Sequence, residues 1–427
     1  MSELGKAPLL KEKIEVLSGF AFPSSGFNQL VGLPLIRIRD LGGSSTEVRF
    51  RGMYDPAYRV SKGDLLVGMD GDFEVHRWAG EDALLNQRVC KISSTSKEIH
   101  QSFLYWYLKP KIAEIHRRTP QTTVRHLSTK DIYAIEEPPF DFPTQERIAQ
   151  ILNTLDTAIR ETEALIDKLK AVTQGLLQDL LTRGIDSNGQ LRPPQSQAPE
   201  LYKESPLGWI PREWNWDILG RWLIGKPKNG YSPKEAGEWT GIQMLGLGCL
   251  TKEGFLPTQL KPAPAADKGL DRARLNEGDL LVSRANTRQL VGLVGVYRDV
   301  GTPCTYPDLM MRLLPSEETT AEFLELVLQS SKVRRQVQAA ASGTSESMVK
   351  ISSSIVTSLK VAIPKTNEQK VILCRTKTLN AQLQSELQGL EVLRAVKVGL
   401  MDDLLSGRVR VTPLLESMQQ AAAQTEA

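Results

Sequence analysis

An internal repeat is the feature of this sequence that most restricts its fold. Three short segments recur in the same order, so one unit, a globular part followed by a long helix, is written twice. The separation between the copies grows from 215 to 220 to 224 residues, as a few loop insertions after a duplication would produce. Such a repeat sets the architecture before any single element is interpreted. The recurring pairs are Lys62–Gly68 with Glu277–Ser283, Phe103–Leu104 with Phe323–Leu324, and Gly175–Leu181 with Gly399–Leu405.

The end of each unit carries apolar residues at alternating spacings of four and three, which is the a/d pattern of a coiled coil. Thr144 and Asn367 are suitable N-caps, and Gly184 and Gly407 are suitable C-terminal stops. A helix over 145–182 would be about 57 Å long, and with one apolar seam it needs a partner, most simply the other copy. The predicted seam positions are Ile148, Leu152, Leu155, Ile159, Ile166, Leu169, Leu176 and Leu180, then Ile372, Leu379, Leu383, Leu390, Leu393, Leu400 and Leu404.

The globular parts contain short β-prone segments bounded by glycine, proline or charge, among them 35–39, 64–67 and 279–282. Together with the helices they predict a mixed α/β fold. Residues 186–205, rich in proline, glutamine and serine, are predicted to form an exposed connector between the copies. The glutamine- and alanine-rich tail 411–427 is predicted to be disordered.

The composition limits the class of protein. With 53 Lys and Arg against 50 Asp and Glu, the chain is not polybasic, although local basic patches remain possible. The four cysteines show no paired spacing, which is typical of a reduced, cytosolic protein. Neither a signal peptide nor a membrane-spanning run is evident, so we expect a cytoplasmic protein without membrane contact.

Motifs for catalysis are missing from the sequence. There is no GxxxxGK[ST] loop for a nucleotide, no metal-ligand spacing of histidines and cysteines, and no nucleophile elbow. Pro138-Pro139-Phe140 resembles the end of the NPPF motif of amino-methyltransferases, but Glu137 stands where an asparagine would hold the target amino group. A loop leading into the long helix is the favoured interpretation. We therefore expect a binding protein with no catalytic residue, metal or cofactor of its own.

Each copy has a basic segment just before its long helix, and each has another polar cluster after its recurring GDLLV strand. This cluster is Asp70-Gly71-Asp72 through His76 and Arg77 in the first copy, and 284–289 in the second. Cations interleaved with hydroxyl residues and glycine suit phosphate contacts, while Arg, Asn and Gln suit base edges. A charged loop residue is more often merely solvated, so the recurrence carries more weight than any single residue. The candidate DNA-binding residues are Arg117, Arg118, Gln121, Thr122 and Arg125 in the first copy, and Arg284, Asn286, Arg288, Gln289, Arg334, Arg335, Gly343, Thr344 and Lys350 in the second.

Three stretches resemble recurring text of the specificity subunits of type I restriction-modification systems. They are Thr144–Ile185, its shorter echo Glu368–Val409, and YKESPLGWIPREW at Tyr202–Trp214. The resemblance covers nearly the whole chain. The sequence departs from the family in lacking a GWIP-like start to the first domain and in placing Thr376, Glu386 and Lys397 on the second seam, so the pairing of the second helix is expected to be looser.

The resemblance implies a division of the chain into two target-recognition domains, each followed by a conserved helix. The two helices would pair as an antiparallel coiled coil that sets the distance between half-sites, about one DNA turn of 34–36 Å. The implied boundaries are 1–142 for the first domain, 143–185 for the first helix, 186–205 for the linker, 206–363 for the second domain, 364–410 for the second helix and 411–427 for the tail.

The resemblance also implies partners. Each domain would read one half of a bipartite site on double-stranded DNA, and two modification (methyltransferase) subunits would dock on the helices. S-adenosylmethionine, ATP and Mg would belong to those subunits and to the restriction (translocase and nuclease) subunits, because this chain itself is expected to hold no cofactor. Adenine methylation would follow base flipping by the methyltransferase.

Two other functions remain open from the residues. A coiled-coil scaffold that binds proteins and never contacts DNA would show no change in a DNA gap when one heptad is removed from both helices. A self-sufficient methyltransferase would require the purified chain to bind S-adenosylmethionine alone. The target bases, the gap length and the domain that reads each half-site are not encoded in any pattern that the sequence displays.

Overall fold

A computed structural model describes residues 8–120, 125–234, 236–346 and 348–411. The chain forms two compact units, of which the first is built from two separate stretches and the second from one continuous stretch. The first unit comprises 1–164 and 388–427, and the second unit comprises 165–387. Each unit therefore contains one globular domain and parts of both long helices.

In the part of the first globular domain that the structure describes, nine strands and two α-helices precede the long helix. The helices are α1 (Gln101–Arg118), α2 (Thr129–Tyr133) and α3 (Phe142–Leu180), of which α3 continues into the second unit. The strands are β1 (Ile14–Ser18), β2 (Phe27–Asn28), β3 (Leu33–Ile36), β4 (Arg49–Phe50), β5 (Arg59–Val60), β6 (Leu65–Gly68), β7 (Val75–Arg77), β8 (Ala83–Leu85) and β9 (Val89–Ser94).

The second unit has more strands and a longer set of loops. Its helices are α4 (Ala321–Gln329), α5 (Ser331–Ala340), α6 (Ser353–Ser358) and α7 (Thr366–Ser406), of which α7 continues into the first unit. Its strands are β10 (Tyr202–Lys203), β11 (Ile210–Pro211), β12 (Asn215–Ile218), β13 (Lys228–Asn229), β14 (Gln243–Leu245), β15 (Leu250–Thr251), β16 (Gly254–Phe255), β17 (Leu260–Pro262), β18 (Leu280–Ser283), β19 (Ala285–Asn286), β20 (Val294–Val296), β21 (Cys304–Thr305), β22 (Met310–Leu313), β23 (Ser342–Ser345), β24 (Met348–Lys350) and β25 (Lys360–Ile363).

The two domains share one sheet topology. The antiparallel order β1-β9-β6-β7 in the first matches β13-β22-β18-β20 in the second. A second sheet contains one parallel pair, β3 with β8 in the first domain and β14 with β21 in the second. Because parallel neighbours need a long crossover, the same crossover in both domains confirms that they are copies of one mixed α/β fold.

A buried glutamine fixes the start of α3 in the first unit. Gln145 is 1% exposed, and its Oε1 accepts the backbone N–H of His100 at 2.9 Å. Its Nε2 donates to the carbonyl oxygens of Glu98 and Phe140, both at 2.9 Å. One uncharged side chain thus satisfies three backbone groups that would otherwise be buried without partners, and it ties the long helix to the start of α1.

Gln369 makes the corresponding bonds at the start of α7 in the second unit. It is fully buried, and its Nε2 donates to the carbonyl oxygens of Glu318 at 2.8 Å and Pro364 at 2.9 Å. Its Oε1 accepts the hydroxyl of Thr319 at 3.0 Å. The recurrence of this buried amide shows that both domains are attached to their helices in the same way.

Both long helices begin slightly before the residues that the sequence suggested as caps. The N-cap role expected of Thr144 is wrong, because α3 begins at Phe142 and the carboxylate of Asp141 accepts the N–H of Thr144 at 3.1 Å. Asn367 likewise lies inside α7, which begins at Thr366. The carboxylate of Asp141, three residues before Thr144, binds the first turn of α3, and the local sequence pattern does not reveal this choice.

The C-terminal stops behave as expected. Gly184 and Gly407 follow the two helices with φ of 63° and 75°, in the left-handed region that glycine enters without strain. The tail predicted for 411–427 lies outside the described residues apart from Val411, which is 6% exposed.

The helices pair in antiparallel fashion within each unit. In the first unit the early part of α3 packs with the late part of α7, so that Ile148, Leu152 and Leu404 share one core. In the second unit the end of α3 packs with the beginning of α7, where Leu180 and Ile372 share another core. Every predicted seam position is buried or half-buried. Phase and partner therefore agree with the expected antiparallel coiled coil.

A cation on the second seam is accommodated by the first unit. The ammonium of Lys397 pairs with Asp156 of α3 and lies 5.1 Å from the centroid of the Trp106 ring. Attraction to the ring face adds to the ion pair. Thr376 on the same seam is 5% exposed and donates its hydroxyl to the carbonyl of Leu373 at 3.0 Å. These two polar seam side chains therefore have partners of their own.

The composition of residues 186–205 predicted an exposed connector, but part of this connector is buried. Arg192 is 5% exposed, and its guanidinium bonds Glu368 of α7 at 2.6 Å and Glu213 at 2.8 Å. Glu368 Oε1 also accepts the N–H of Ile185 at 2.7 Å and the indole N–H of Trp214 at 3.1 Å. A buried charge requires such partners, so this cluster fixes the connector against the first turn of α7.

Candidate nucleic-acid interface

Strand pairing joins the two candidate segments of the second domain. In the sheet β19-β24-β23, Ala285 pairs with Lys350, Asn286 with Val349, and Ser342 with Lys350. The polar cluster that follows β18 and the segment that follows α5 are therefore neighbours on one small sheet. Sequence separation had given no indication of this pairing.

Gly343 is required by the close approach of β23 and β24. A Cβ at this position would lie 2.6 Å from the carbonyl oxygen of Met348 and 2.9 Å from the Cα of Val349. The register also shifts between Ser342 and Ser345. Lys350 is exposed on the neighbouring strand, whereas the side chain of Thr344 lies outside the described part of the chain.

Arg288 is held by partners within the chain. Its guanidinium bonds the two carboxylate oxygens of Glu346 at 2.7 and 2.9 Å and also donates to the carbonyls of Gln338 and Ala341 at 2.9 and 3.1 Å. The bond to Glu346 raises the pKa of Arg288, and the guanidinium in turn lowers the pKa of Glu346. The geometry closes the loop onto the end of α5.

Arg334 approaches the same loop from α5. It donates to the carbonyl oxygens of Val291 at 2.5 Å and Gln289 at 2.8 Å, and burial lowers the pKa of its guanidinium. By contrast, the side chains of Gln289 and Arg335 are exposed. Arg288 and Arg334 therefore shape the loop, whereas Gln289 and Arg335 remain accessible.

Arg284 and Asn286 lie between these two groups. Both are half-buried, and Nη1 of Arg284 lies 3.4 Å from the carbonyl oxygen of Asp308. The Oδ1 of Asn286 accepts the N–H of Thr287 at 2.8 Å. A side-chain amide fixed at its oxygen presents its NH₂ group in a defined direction, as hydrogen bonding to a base edge requires.

The candidate residues of the first domain lie at and beyond the end of α1. Arg117 and Arg118 are exposed, and Arg118 pairs with Glu114 one turn earlier. Arg125 donates to Nε2 of His116 at 2.6 Å, which brings the segment after α1 back onto that helix. Gln121 and Thr122 lie outside the described residues.

Asp70, in the turn after β6, contacts both His126 and Arg88. Asp70 pairs with His126 in an isolated bridge, and Oδ1 of Asp70 lies 2.7 Å from Nδ1 of His126. Its other oxygen bonds Arg88 at 2.8 Å. Arg88 was not among the candidates, because only the pairing of distant segments brings it to this position.

Arg77, at the end of the polar cluster after β6, contacts α1 and α3. It donates to Oδ1 of Asn153 at 2.7 Å and lies over the ring of Tyr105, 4.1 Å from its centroid. Burial lowers the pKa of its guanidinium. Its contacts attach the sheet to α3, which is a structural role.

A glycine followed by an aromatic residue recurs near the start of each domain, as Gly19-Phe20 and Gly230-Tyr231. A Cβ on Gly19 would collide with the carbonyl of Asn86, and a Cβ on Gly230 with the carbonyl of Tyr306. Each glycine lets its loop pass against the corresponding turn of the other sheet. The pairs Gly19-Phe20 and Gly230-Tyr231, each followed by a proline, could have been found as a fourth recurring segment.

The described residues include neither a cluster of metal-ligating side chains nor a helix able to cross a membrane. No group of three or more His, Cys, Asp or Glu side chains in that part of the chain is arranged to hold a metal ion. Among its helices, none combines the length and the apolar character needed to cross a bilayer.

Comparison with known proteins shows what this chain is similar to. Residues 10–171 match the type I restriction modification DNA specificity domain. The chain is 28% identical to the EcoBI specificity subunit of Escherichia coli over 66% of its own length, and it spans 60% of the length of that relative. It is 23% identical to the MjaVIII specificity subunit of Methanocaldococcus jannaschii, over 83% of this chain and 81% of that protein.

A solved structure supports the fold. The S subunit of a type I restriction-modification system from M. genitalium superimposes with a TM-score of 0.56, covering 95% of this chain and 98% of that one at 15% identity. Specificity subunits are the non-catalytic DNA-recognition components of these systems. Residues 10–171 thus match the type I restriction modification DNA specificity domain, and the chain as a whole is similar to type I restriction-modification specificity subunits.

Proposed function

We propose that this chain reads a bipartite DNA site, with domain 1–142 recognising one half and domain 206–363 the other. The observation that carries the proposal is the duplication itself. Both domains keep the four-stranded antiparallel sheet, one parallel strand pair and the same buried glutamine, Gln145 or Gln369, while the side chains at their polar surfaces differ. Two copies of one frame with different surfaces suit the reading of two different sequences.

The exposed cations supply the general affinity for the duplex in this proposal. Arg117 and Arg118 in the first domain and Arg335 and Lys350 in the second are exposed. Each phosphate neutralised by such a side chain releases a counterion, so binding should weaken as salt rises. Arg284, Asn286 and Gln289 are proposed to contact bases, whereas Arg288 and Arg334 are proposed to hold the loop that presents them.

The helices are proposed to set the unread gap and to receive two modification (methyltransferase) subunits. In the first unit, an open groove of about 630 Å³ runs between the start of α1 and the outer face of α3, lined by polar side chains that include Glu146, Gln150 and Glu161. A concave surface of this size, with both polar and apolar parts, suits a water-containing interface with another protein. S-adenosylmethionine, ATP and Mg are proposed to reside on the modification and restriction subunits, and the complex is proposed to work in the cytoplasm.

A domain exchange tests the reading of half-sites. Residues 1–142 are replaced by the recognition domain of another specificity subunit, and the chimera is produced with a modification subunit. Methylome sequencing should show one altered half-site and one unchanged half-site. An exchange of 206–363 is the matched control, which should alter the other half. An unchanged target in both chimeras would contradict the proposal and favour a scaffold that does not read DNA.

The proposed spacing role has its own test. Removing one heptad from each helix, 163–169 and 386–392, shortens the pair by about 10 Å while preserving the seam. The gap in the methylated site should shrink by about three base pairs, because one base pair occupies about 3.4 Å of DNA axis. Deletion of three residues from each helix is the control, since it shifts the seam and should disrupt pairing. A full-length gap after heptad deletion would exclude this role.

A further inference from the structure

Arg88 has an unusual backbone for an arginine. Within the described residues it is the one non-glycine position with positive φ, at 71°. It ends the turn between β8 and β9, and its side chain is 60% exposed. A side chain in the left-handed region costs roughly 1–2 kcal/mol, and such strain is concentrated at functional sites. Glycine would occupy this position without strain, so the retained arginine invites a functional explanation.

The guanidinium of Arg88 is fixed at one end and free at the other. Its Nη1 lies 2.8 Å from Oδ2 of Asp70, whose own side chain is 20% exposed. The other oxygen of Asp70 is engaged by Nδ1 of His126 at 2.7 Å. Among the described residues the remaining N–H groups of Arg88 have no hydrogen-bond partner, so they are directed to solvent from an oriented side chain.

The backbone around Arg88 has a counterpart in the second domain. Met69 donates its N–H to the carbonyl of Arg88 at 2.8 Å, as Arg284 donates to the carbonyl of Leu309 at 2.7 Å. Leu127 donates to the carbonyl of Met69 at 2.7 Å, and Ile351 donates to that of Arg284 at 2.9 Å. Arg284 therefore occupies the position of Met69. We call the place where this segment meets the neighbouring turn the junction of each domain.

The two domains place an arginine at this junction from opposite sides. In the first domain the arginine is on the turn, at Arg88, and the acid is on the segment after β6, at Asp70. In the second domain the arginine is on the segment after β18, at Arg284, and its Nη1 lies 3.4 Å from the backbone carbonyl oxygen of Asp308 on the turn. The sequence position of the arginine differs, while a guanidinium is present where the turn and this segment meet in both domains.

We propose that Arg88 is a specificity-determining residue of the first domain that contacts a guanine, and that Asp70 and His126 are positioning residues that orient it. This inference rests on the proposed function of DNA reading. A guanidinium with free N–H groups fits the O6 and N7 acceptors of guanine in the major groove. The bond to Asp70 limits the rotamers of Arg88 before DNA binds, which reduces the ordering cost of the contact.

The test compares three variants in the complex with the modification subunit. Arg88→Gly removes the side chain and relieves the strain, Arg88→Lys keeps the charge without the planar fork, and Asp70→Asn weakens the orienting bond. Arg59→Ala is the matched control, because Arg59 is 51% exposed, pairs with Asp82 at 2.6 Å and has an ordinary φ of −72°. Methylation is measured on a plasmid library in which every position of the wild-type site is varied.

We expect Arg88→Gly to lose about 10- to 100-fold of the preference for guanine at one position of one half-site, as one bidentate base contact supplies. Arg88→Lys should lose part of it, Asp70→Asn should weaken the preference at the same position, and Arg59→Ala should retain the wild-type profile. Thermal unfolding of Arg88→Gly should be no earlier than that of the wild type. Wild-type substrate carrying 7-deazaguanine at that position should be methylated more slowly by the wild type but not further impaired in Arg88→Gly.

Other results would overturn the inference. Unchanged base preferences in Arg88→Gly would show that the arginine does not read the site. An equal loss for all sequences would identify a phosphate contact instead. If the wild-type complex itself methylates no defined site, the proposed function fails together with the inference. If the wild type selects a site and Arg88→Gly selects the same one, only the inference fails.

Discussion

The two recognition domains differ least where they join their helices and most where they present polar side chains. Gln145 and Gln369 bind equivalent backbone carbonyls with the same amide group. At the polar surface, by contrast, Arg288 and Arg334 close a loop in the second domain, while Arg117 and Arg118 stand exposed on α1 in the first. The attachment of a domain is thus constrained by buried backbone groups, whereas its surface is free to diverge.

The largest expected loss of stability comes from breaking the Arg192–Glu368 ion pair of the second unit. Arg192→Ala should lower the free energy of unfolding by about 3–5 kcal/mol, because it leaves Glu368 buried without its cation. Urea denaturation followed by circular dichroism measures the loss. Arg221→Ala is the control, since Arg221 and Glu318 are 49% and 57% exposed and such a pair contributes about 0–1 kcal/mol. Equal effects of the two variants would show that the connector is not fixed by its charge cluster.

The next effect should be the same in both units. Gln145→Ala and Gln369→Ala each remove three hydrogen bonds from buried groups, so each should lower the free energy of unfolding by about 2–4 kcal/mol. Gln150→Ala on the exposed face of α3 is the control and should change stability by less than about 0.5 kcal/mol. Denaturation curves of the three variants decide the point. If only one of the two glutamine variants loses stability, the two attachments of domain to helix are not equivalent.

The smallest effect concerns an ion pair of the first unit alone. Lys397→Ala and Asp156→Ala should each lower the free energy of unfolding by about 1–2 kcal/mol, since both side chains are about one-quarter exposed. The double variant should lose about 1 kcal/mol less than the sum, which is the coupling of a contacting pair. Thermal denaturation of all four proteins completes the cycle. Additive losses would mean that Lys397 is held by the Trp106 ring rather than by Asp156.

The sequence predicted the parts of this fold that depend on local period. The heptads located both helices and their seam, because a spacing of four and three is visible without any knowledge of the tertiary structure. The recurring GDLLV segment located β6 and β18 for the same reason. The start of α3 was misplaced by only a few residues, because Asp141 and Thr144 are both capping residue types and local pattern does not choose between them.

The candidate surface was only partly predictable. Segments 284–289 and 343–350 were chosen by composition, and their pairing in one sheet emerged only from the fold. Arg288 and Arg334 have the right chemistry for DNA, but their bonds to carbonyls and to Glu346 depend on long-range contacts that residue type does not encode. Arg88 was missed because neither its φ nor its approach to Asp70 has a signature in a single sequence.

The buried amide at the first turn of each long helix also has an evolutionary consequence. The side-chain NH₂ groups of Gln145 and Gln369 bind backbone carbonyls of the domain, and the one side chain that Gln369 also bonds is the buried Thr319. A recognition domain that diverges, or that is acquired by recombination near this turn, therefore meets an attachment point that is indifferent to its surface sequence. Under the proposed function, the DNA-reading surface of a domain could therefore change while the attachment of that domain to its helix stays the same.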